Sequence, residues 1–200
     1  LAVLAVVACA STALAQEQGN GFRRGGALGL LSVTEVQTEL KITDDQKAKL
    51  DALRAERGSS EGLSRDERRA RNEEFAKKVD EALKGILDEP QQQRLAELRL
   101  QRDGVRSFAR AEVAEKLGLD QAQKDQLAKI QSDDAAVERP DLRNASQEER
   151  EKYFAESRER REKMNAAMLA VLTDAQKETF ETMLGAKFTF PPRRNRGSGQ

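Results

Sequence analysis

A five-residue pattern occurs four times in this chain of 200 residues: an aliphatic residue, Thr or Asp, two further residues and Gln. The copies span 42–46, 87–91, 119–123 and 172–176. Thr and Asp are typical of a helix N-cap, whose side-chain oxygen accepts a backbone N–H, and a Gln three residues later can accept the N–H of the cap residue itself. The aliphatic residue lies where a hydrophobic staple would begin. Each copy therefore predicts the start of a helix, closed by a capping box.

Two further segments have the same cap chemistry with Ser and Glu in place of Thr or Asp and Gln. In each, a Ser is followed three residues later by Glu, which is the other common form of the capping box. Six boxes imply at least six helices. The predicted pairs are Thr43 with Gln46, Ser64 with Glu67, Asp88 with Gln91, Asp120 with Gln123, Ser146 with Glu149, and Thr173 with Gln176.

The spacing of the boxes indicates an internal duplication. Thr43 and Asp120 are 77 residues apart, and the apolar positions Val36 and Leu50 match residues at the same offset. The Ser boxes are 82 residues apart and the remaining pair of boxes 85 apart, so the second copy has longer connections. A helical unit of about 70 residues that occurs twice is typical of a duplicated module. We place the two repeats at 32–102 and 109–185.

Residues 1–15 are uncharged and almost entirely apolar, and they end in Ala13-Leu14-Ala15. This pattern predicts a signal peptide cleaved after Ala15. An alternative interpretation takes 6–9 as a lipobox with Cys9 as the lipidated residue. Both interpretations predict export. Cys9 is the only cysteine, so a chain cleaved after Ala15 forms no disulfide.

Composition suggests flexibility at both ends of the predicted repeats. Residues 16–31 are rich in glycine and predict a flexible linker. Residues 186–200 contain four basic residues, no acidic residue and Pro191-Pro192, and they predict a disordered basic tail. Such a tail can solubilise the chain or contact nucleic acid or anionic lipid. We expect the solubilising role and no nucleic-acid partner.

Apolar periodicity predicts an all-α fold, an elongated helical bundle or set of hairpins built from two tandem repeats. Phe75, Val79, Leu83 and Ile86 form one stripe of a long helix. No segment alternates apolar and polar residues as a strand does. The second repeat has a weaker stripe, because 148–161 offers only Tyr153 and Phe154. This part of its long helix is expected to project from the bundle or line a groove.

The residues that most enzymes use are scarce. The chain has no His, one Cys and no Ser-nucleophile or phosphate-loop pattern. Many of its carboxylates lie four residues before a basic residue, as in helix-surface ion pairs. Asp44-Asp45 and Asp133-Asp134 could bind calcium weakly, but neither is part of a twelve-residue calcium loop. We therefore expect no enzyme activity, no cofactor and no metal site.

The L-T-x-x-Q box that opens helices in a small, exported chain without His is similar to that of the Spy/CpxP family of bacterial periplasmic proteins. The resemblance is carried by the four Gln boxes alone, and two of them have Asp in place of Thr. It implies an ATP-independent chaperone or envelope-stress protein. Members have two boxes and form dimers. Because this chain has four boxes, the resemblance implies a fused pair, a monomeric pseudo-dimer with no transmembrane segment.

Two functions follow as hypotheses. The first is a periplasmic protein that binds unfolded or damaged polypeptides, with Met164, Met168 and Met183 available either as an adaptable contact surface or as core residues. We favour the core. The second is a structural or regulatory helical module that binds one defined partner in the envelope.

Overall fold

The computed structural model describes residues 26–59, 62–137, 140–142 and 144–191. Within these ranges the regular structure is entirely helical, which confirms the predicted all-α class. None of these helices is both long and apolar enough to cross a membrane. The helices are α1 Gly26–Leu30, α2 Thr34–Glu39, α3 Asp44–Ala55, α4 Arg65–Ile86, α5 Glu89–Asp103, a 3-10 helix Gly104–Ala109, α6 Ala111–Lys116, α7 Gln121–Ala136, α8 Gln147–Ala170 and α9 Asp174–Leu184.

The chain divides into two compact units between Ile86 and Leu87. The first unit contains α1–α4 and the second contains α5–α9. This division differs from the predicted repeat boundaries, which placed α5 in the first repeat. The physical reason is packing: α5 lies against α9, and Leu100 near its end is part of the core of the second unit. The tandem duplication itself stays a prediction.

In the first unit α1 and α3 both pack against α4. Leu50 of α3 is buried, and the predicted stripe on α4 faces inward, with Val79 and Leu83 buried and Phe75 and Ile86 half-buried. The stripe is thus confirmed. Burying each such aliphatic side chain contributes about 1.5–3 kcal/mol.

The flexible linker predicted over 16–31 needs correction at its C-terminal end. Residues 26–30 form α1, and Ala27, Leu28, Leu30 and Leu31 are buried. Glycine content suggested flexibility, but the apolar spacing of these four residues gives one helical face that gains more from burial. The remainder of the predicted linker, the predicted signal peptide and Cys9 lie outside the described residues.

In the second unit the core is built around Phe108 of the 3-10 helix. Its ring meets that of Phe180 edge to face, with centroids 4.8 Å apart and planes at 80°. Met164 and Met168 of α8 are buried in this cluster, and Met183 of α9 packs against it. Met164 and Met168 are therefore core residues, and Met183 is half-buried against the same core.

Two turns, one in each unit, end a short helix in the same way. Lys41 after α2 and Gly118 after α6 both adopt the left-handed conformation, with φ of +51° and +61°. Around each residue the pair of hydrogen bonds forms a Schellman motif. The bonds are Lys41 N to Thr38 O and Ile42 N to Gln37 O in the first turn, and Gly118 N to Glu115 O and Leu119 N to Ala114 O in the second.

The disorder predicted over 186–200 needs correction at its N-terminal end. Residues 186–191 are described, and Phe188 N donates to the side chain of Gln101 on α5 at 2.9 Å. Basic and proline-rich composition predicted disorder for the whole segment, but this bond and a second one from Gln101 Nε2 to the carbonyl oxygen of Ala186 hold its first residues. Residues 192–200, which hold three of its four basic side chains, lie outside the described residues.

Candidate functional site

All six predicted cap pairs form both hydrogen bonds of a capping box. At the start of α3, Thr43 Oγ1 accepts from Gln46 N at 3.3 Å and Gln46 Oε1 accepts from Thr43 N at 3.0 Å. At the start of α5 the corresponding distances for Asp88 and Gln91 are 2.9 and 3.0 Å. The same two bonds join Ser64 with Glu67, Asp120 with Gln123, Ser146 with Glu149, and Thr173 with Gln176.

The aliphatic residue of each Gln box has a different role from the one expected. In a hydrophobic staple it would pack on an apolar fourth residue of the helix, but that residue is Lys or Gln in all four boxes. Instead Leu87, Leu119 and Leu172 are buried in the protein, while Ile42 is half-buried. This position therefore anchors each helix start to a core.

The Gln side chains have a second role that sequence reasoning missed. Gln46 Nε2 donates to the carbonyl oxygen of Ile86, the last residue of α4, at 2.9 Å. Gln123 Nε2 donates to the carbonyl oxygen of Val171, just after α8, also at 2.9 Å. Each amide thus caps its own helix with its oxygen and ties another helix end with its nitrogen. The two bonds occupy equivalent positions of the predicted repeats, since Gln46 aligns with Gln123 and Ile86 with Val171.

In the second unit two Gln boxes also bind each other. Gln123 Nε2 donates to Gln176 Oε1 at 2.8 Å, and Gln176 Nε2 donates back to Gln123 Oε1 at 3.0 Å. This reciprocal amide pair joins the starts of α7 and α9. A carboxylate has no proton to donate at neutral pH, so only Gln serves both roles.

The two Glu boxes lie at exposed helix starts. Glu67 and Glu149 are exposed, and hydrogen bonds from Ser64 and Ser146 lower the pKa of each carboxyl below its ordinary value of 4.5. An ionised Glu side chain can only accept hydrogen bonds. It can therefore close the capping box but cannot donate to a second helix end as Gln does. The side chains of all six boxes form hydrogen bonds within the protein, so we assign them the role of building the fold.

The N-terminal part of α8 carries Phe154, the more exposed of the two exposed large apolar side chains among the described residues, the other being Val137. Residues 147–163, which we call the α8 arm, contribute no buried side chain among the described residues. Phe154 on this arm is 58% exposed, and the neighbouring Tyr153 ring lies edge-on at 5.8 Å. Phe154 is more than half exposed, so its burial contributes less to stability than that of a core Phe and much of its ring is available for contact.

The acidic pairs considered as calcium ligands form ion pairs or lie in the first turn of a helix. Asp133 pairs with Lys129 at 3.1 Å, and Asp134 pairs with Arg160 of α8 at 3.4 Å. Asp44 and Asp45 lie in the first turn of α3, where negative charge favours the helix. The described part of the chain brings no three metal-binding side chains together.

Comparison with protein-family models, with curated proteins and with solved structures found no match to this chain.

Proposed function

We propose that this chain is an exported, ATP-independent chaperone-like protein of the bacterial periplasm that binds unfolded or damaged polypeptides without catalysis. The observation that carries the proposal is the α8 arm, where Phe154 is 58% exposed in a helix segment that has no fully buried side chain among the described residues. The similarity of the L-T-x-x-Q boxes to the Spy/CpxP family supports it. So does the apolar, uncharged segment 1–15, which is typical of export signals.

The charges around Phe154 suit an occupant of variable sequence. Arg150 and Glu151 lie four and three residues before it and Arg158 four residues after it, on the same helix face, and all three are exposed. An unfolded segment offers an apolar side chain flanked by charges of either sign. A ring bordered by charges of both signs can contact clients with acidic or basic residues beside the apolar side chain, through weak contacts that permit release.

The pseudo-dimer is part of the same proposal. The equivalent bonds of Gln46 to Ile86 and of Gln123 to Val171 support an internal repeat. A chain that contains both copies is then expected to sediment as a monomer. A tight dimer at micromolar concentration would contradict this part.

The alternative is a structural or regulatory helical module with one defined envelope partner. It is favoured by the small extent of the exposed apolar surface, because a single aromatic side chain is typical of a hot spot for one matched pocket. Lipidation at Cys9 would anchor either kind of protein to a membrane.

Suppression of aggregation distinguishes the two. We expect the protein to suppress aggregation of two unrelated denatured clients at near-stoichiometric ratios, and Phe154→Ser to lose most of this effect. Ala155→Ser is the matched control, because Ala155 is exposed on the same turn. Both variants should melt like the wild type.

Two results would reject the chaperone proposal. One is a wild-type protein that leaves both clients to aggregate. The other is a Phe154→Ser variant that protects as well as Ala155→Ser. A different pair of results would favour the regulatory module. The protein would protect neither client, and it would capture a single partner from envelope extract, with the capture lost in Phe154→Ser.

A further inference from the structure

A groove lies on the surface of the second unit between the 3-10 helix, α6 and α7, with a volume of about 770 Å³. Its floor is apolar, because the buried side chains of Phe108, Leu119 and Leu127 line it, each at most 5% exposed. Its walls carry small residues, which leave room for an inserted side chain. These wall residues are Ala109, Ala111, Ala114, Gly118 and Ala128.

The small wall residues belong to the second unit and are not required by the helical framework. Three of them match polar, exposed residues of the first unit at the predicted repeat offset of 77 residues. The fold therefore accepts a polar surface at these positions, and the second unit presents an apolar groove there. Such a groove is typical of a contact surface. The matched residues are Ala111 with Thr34, Gly118 with Lys41, and Ala128 with Asp51.

The same unit exposes a side chain that suits this groove. Phe154 on the α8 arm is 58% exposed and does not line the groove. It cannot enter the groove of its own chain, because α8 is one continuous helix whose later turns are held in the core by Met164 and Met168. The groove of a second copy can receive it.

The charges beside the ring complement those beside the groove. Glu115 of α6 and Lys124 of α7 line the groove, and both are exposed. On the arm, Glu151 lies one turn before Phe154 and Arg158 one turn after it. In one of the two directions in which the arm can lie across the groove, Glu151 meets Lys124 and Arg158 meets Glu115. Complementary charges of this kind fix the direction of docking.

We propose that the α8 arm of one copy docks into the groove of a second copy, with Phe154 as the inserted side chain. The two surfaces differ, so the contact is head to tail and can extend to further copies. One aromatic anchor makes a small interface, so association is expected only above roughly 0.1 mM, which agrees with a monomer at micromolar concentration. The inference does not rest on the proposed chaperone function.

Sedimentation velocity of the full chain, from about 10 µM to about 1 mM, tests the contact. The sedimentation coefficient of the wild type should rise with concentration. Phe154→Ser removes the anchor and Ala128→Asp places a charge in the groove, so each variant alone should stay monomeric. Ala122→Asp is the matched control, because Ala122 is exposed on α7 outside the groove. It should associate like the wild type.

A mixture of the two monomeric variants is the decisive sample. Ala128→Asp keeps its arm and Phe154→Ser keeps its groove, so the mixture should form a complex of one copy of each and nothing longer. Ala128→Asp should also keep the protection of clients that the wild type gives, because its Phe154 is intact. Failure here is therefore distinct from failure of the aggregation assay.

A wild type that stays monomeric at the highest concentration would overturn the proposal. Self-association that survives Phe154→Ser or Ala128→Asp would do the same, and so would a mixture that stays monomeric. If Ala128→Asp does not fold, Gly118→Lys replaces it, with the residue that the first unit carries. If neither folds, the NMR signals of Ala111 and Ala128 decide. They must shift with concentration in the wild type and stay constant in Phe154→Ser.

Discussion

The turn from α2 into α3 and the turn from α6 into α7 have the same backbone structure but differ in their side chains. Both pass from a Schellman motif directly into a capping box whose Gln amide ties a distant helix end. The left-handed residue is Lys41 in the first turn and Gly118 in the second, and the cap is Thr43 in the first and Asp120 in the second. Gln occupies the third helical position in both.

This difference separates what the turn requires from what it tolerates. The cap needs an acceptor oxygen, which a hydroxyl or a carboxylate supplies. The left-handed position favours glycine but accepts lysine at a cost. The tie to a second helix end requires an amide, since neither Glu nor Ala has a donor there. The repeated box is therefore a structural element that joins two helix ends. Its Gln position tolerates the fewest residue types, because it needs both an acceptor and a donor.

The largest expected effect comes from removing the amide donor. Gln123→Glu keeps the acceptor for the Asp120 N–H but cannot donate to the Val171 carbonyl and brings a charge to it. We expect a loss of about 2 kcal/mol in the free energy of unfolding, and a similar loss for Gln46→Glu at Ile86.

Glu149→Gln is the control for that substitution, because the exposed Ser146 box needs no second donor. Its effect should stay within about 0.5 kcal/mol. Urea unfolding of the three variants measures the contrast. Equal losses at Glu boxes and Gln boxes would show that the ties to Ile86 and Val171 contribute nothing.

Removal of the cap oxygen should have the next largest effect. Thr43→Ala leaves the Gln46 N–H without its acceptor and should cost about 1 kcal/mol, and Asp120→Ala and Thr173→Ala should cost the same. The exchange variant Asp120→Thr should be nearly neutral, because the two turns use these residues interchangeably. A large loss in the exchange variant, measured by thermal melts, would mean that each cap is specific to its turn.

A smaller effect is expected at the left-handed position. Lys41→Gly relieves the strain of φ +51° but adds freedom to the unfolded chain, so we expect a net gain of roughly 0.5–1 kcal/mol. Gly118→Lys should lose about as much. If both substitutions destabilise, the two turns are less equivalent than their hydrogen bonds indicate.

The smallest effect concerns pH and the two Glu boxes. Hydrogen bonds lower the pKa of Glu67 and Glu149 in the folded chain. Their contribution to stability is therefore present above the unfolded value of 4.5 and is lost as the pH falls through the lower folded pKa. Between about pH 6 and about pH 3, the melting temperature of the wild type should therefore fall further than the melting temperature of a Glu67→Gln/Glu149→Gln double variant. Identical pH profiles would contradict this assignment.

The caps could be predicted because they are local. Ser64 and Glu67 are three residues apart, and the spacing itself brings the two groups together once a helix forms. The bond from Gln46 to Ile86 joins residues 40 apart in sequence, so its partner depends on how α3 packs on α4. Nothing in the sequence around Gln101 marks it as the residue that binds the backbone after α9.

The errors at the two flexible segments have a common cause. Gly and Pro content was taken as evidence of flexibility over all of 16–31 and 186–200. At Leu28 and Leu30 apolar burial outweighs the glycine nearby. After Gly185 the side chain of Gln101 satisfies two backbone groups of the segment, the carbonyl oxygen of Ala186 and the N–H of Phe188. Composition describes a segment on average and does not register such single contacts.

The most direct test of the account compares Thr43→Asp with Phe154→Ser for client binding. If the boxes are structural and the α8 arm binds polypeptide, Thr43→Asp should keep both its melting temperature and its binding, while Phe154→Ser keeps its melting temperature and loses binding. A Thr43→Asp protein with an unchanged melt and abolished binding would contradict the account, because it would place the partner on the box itself.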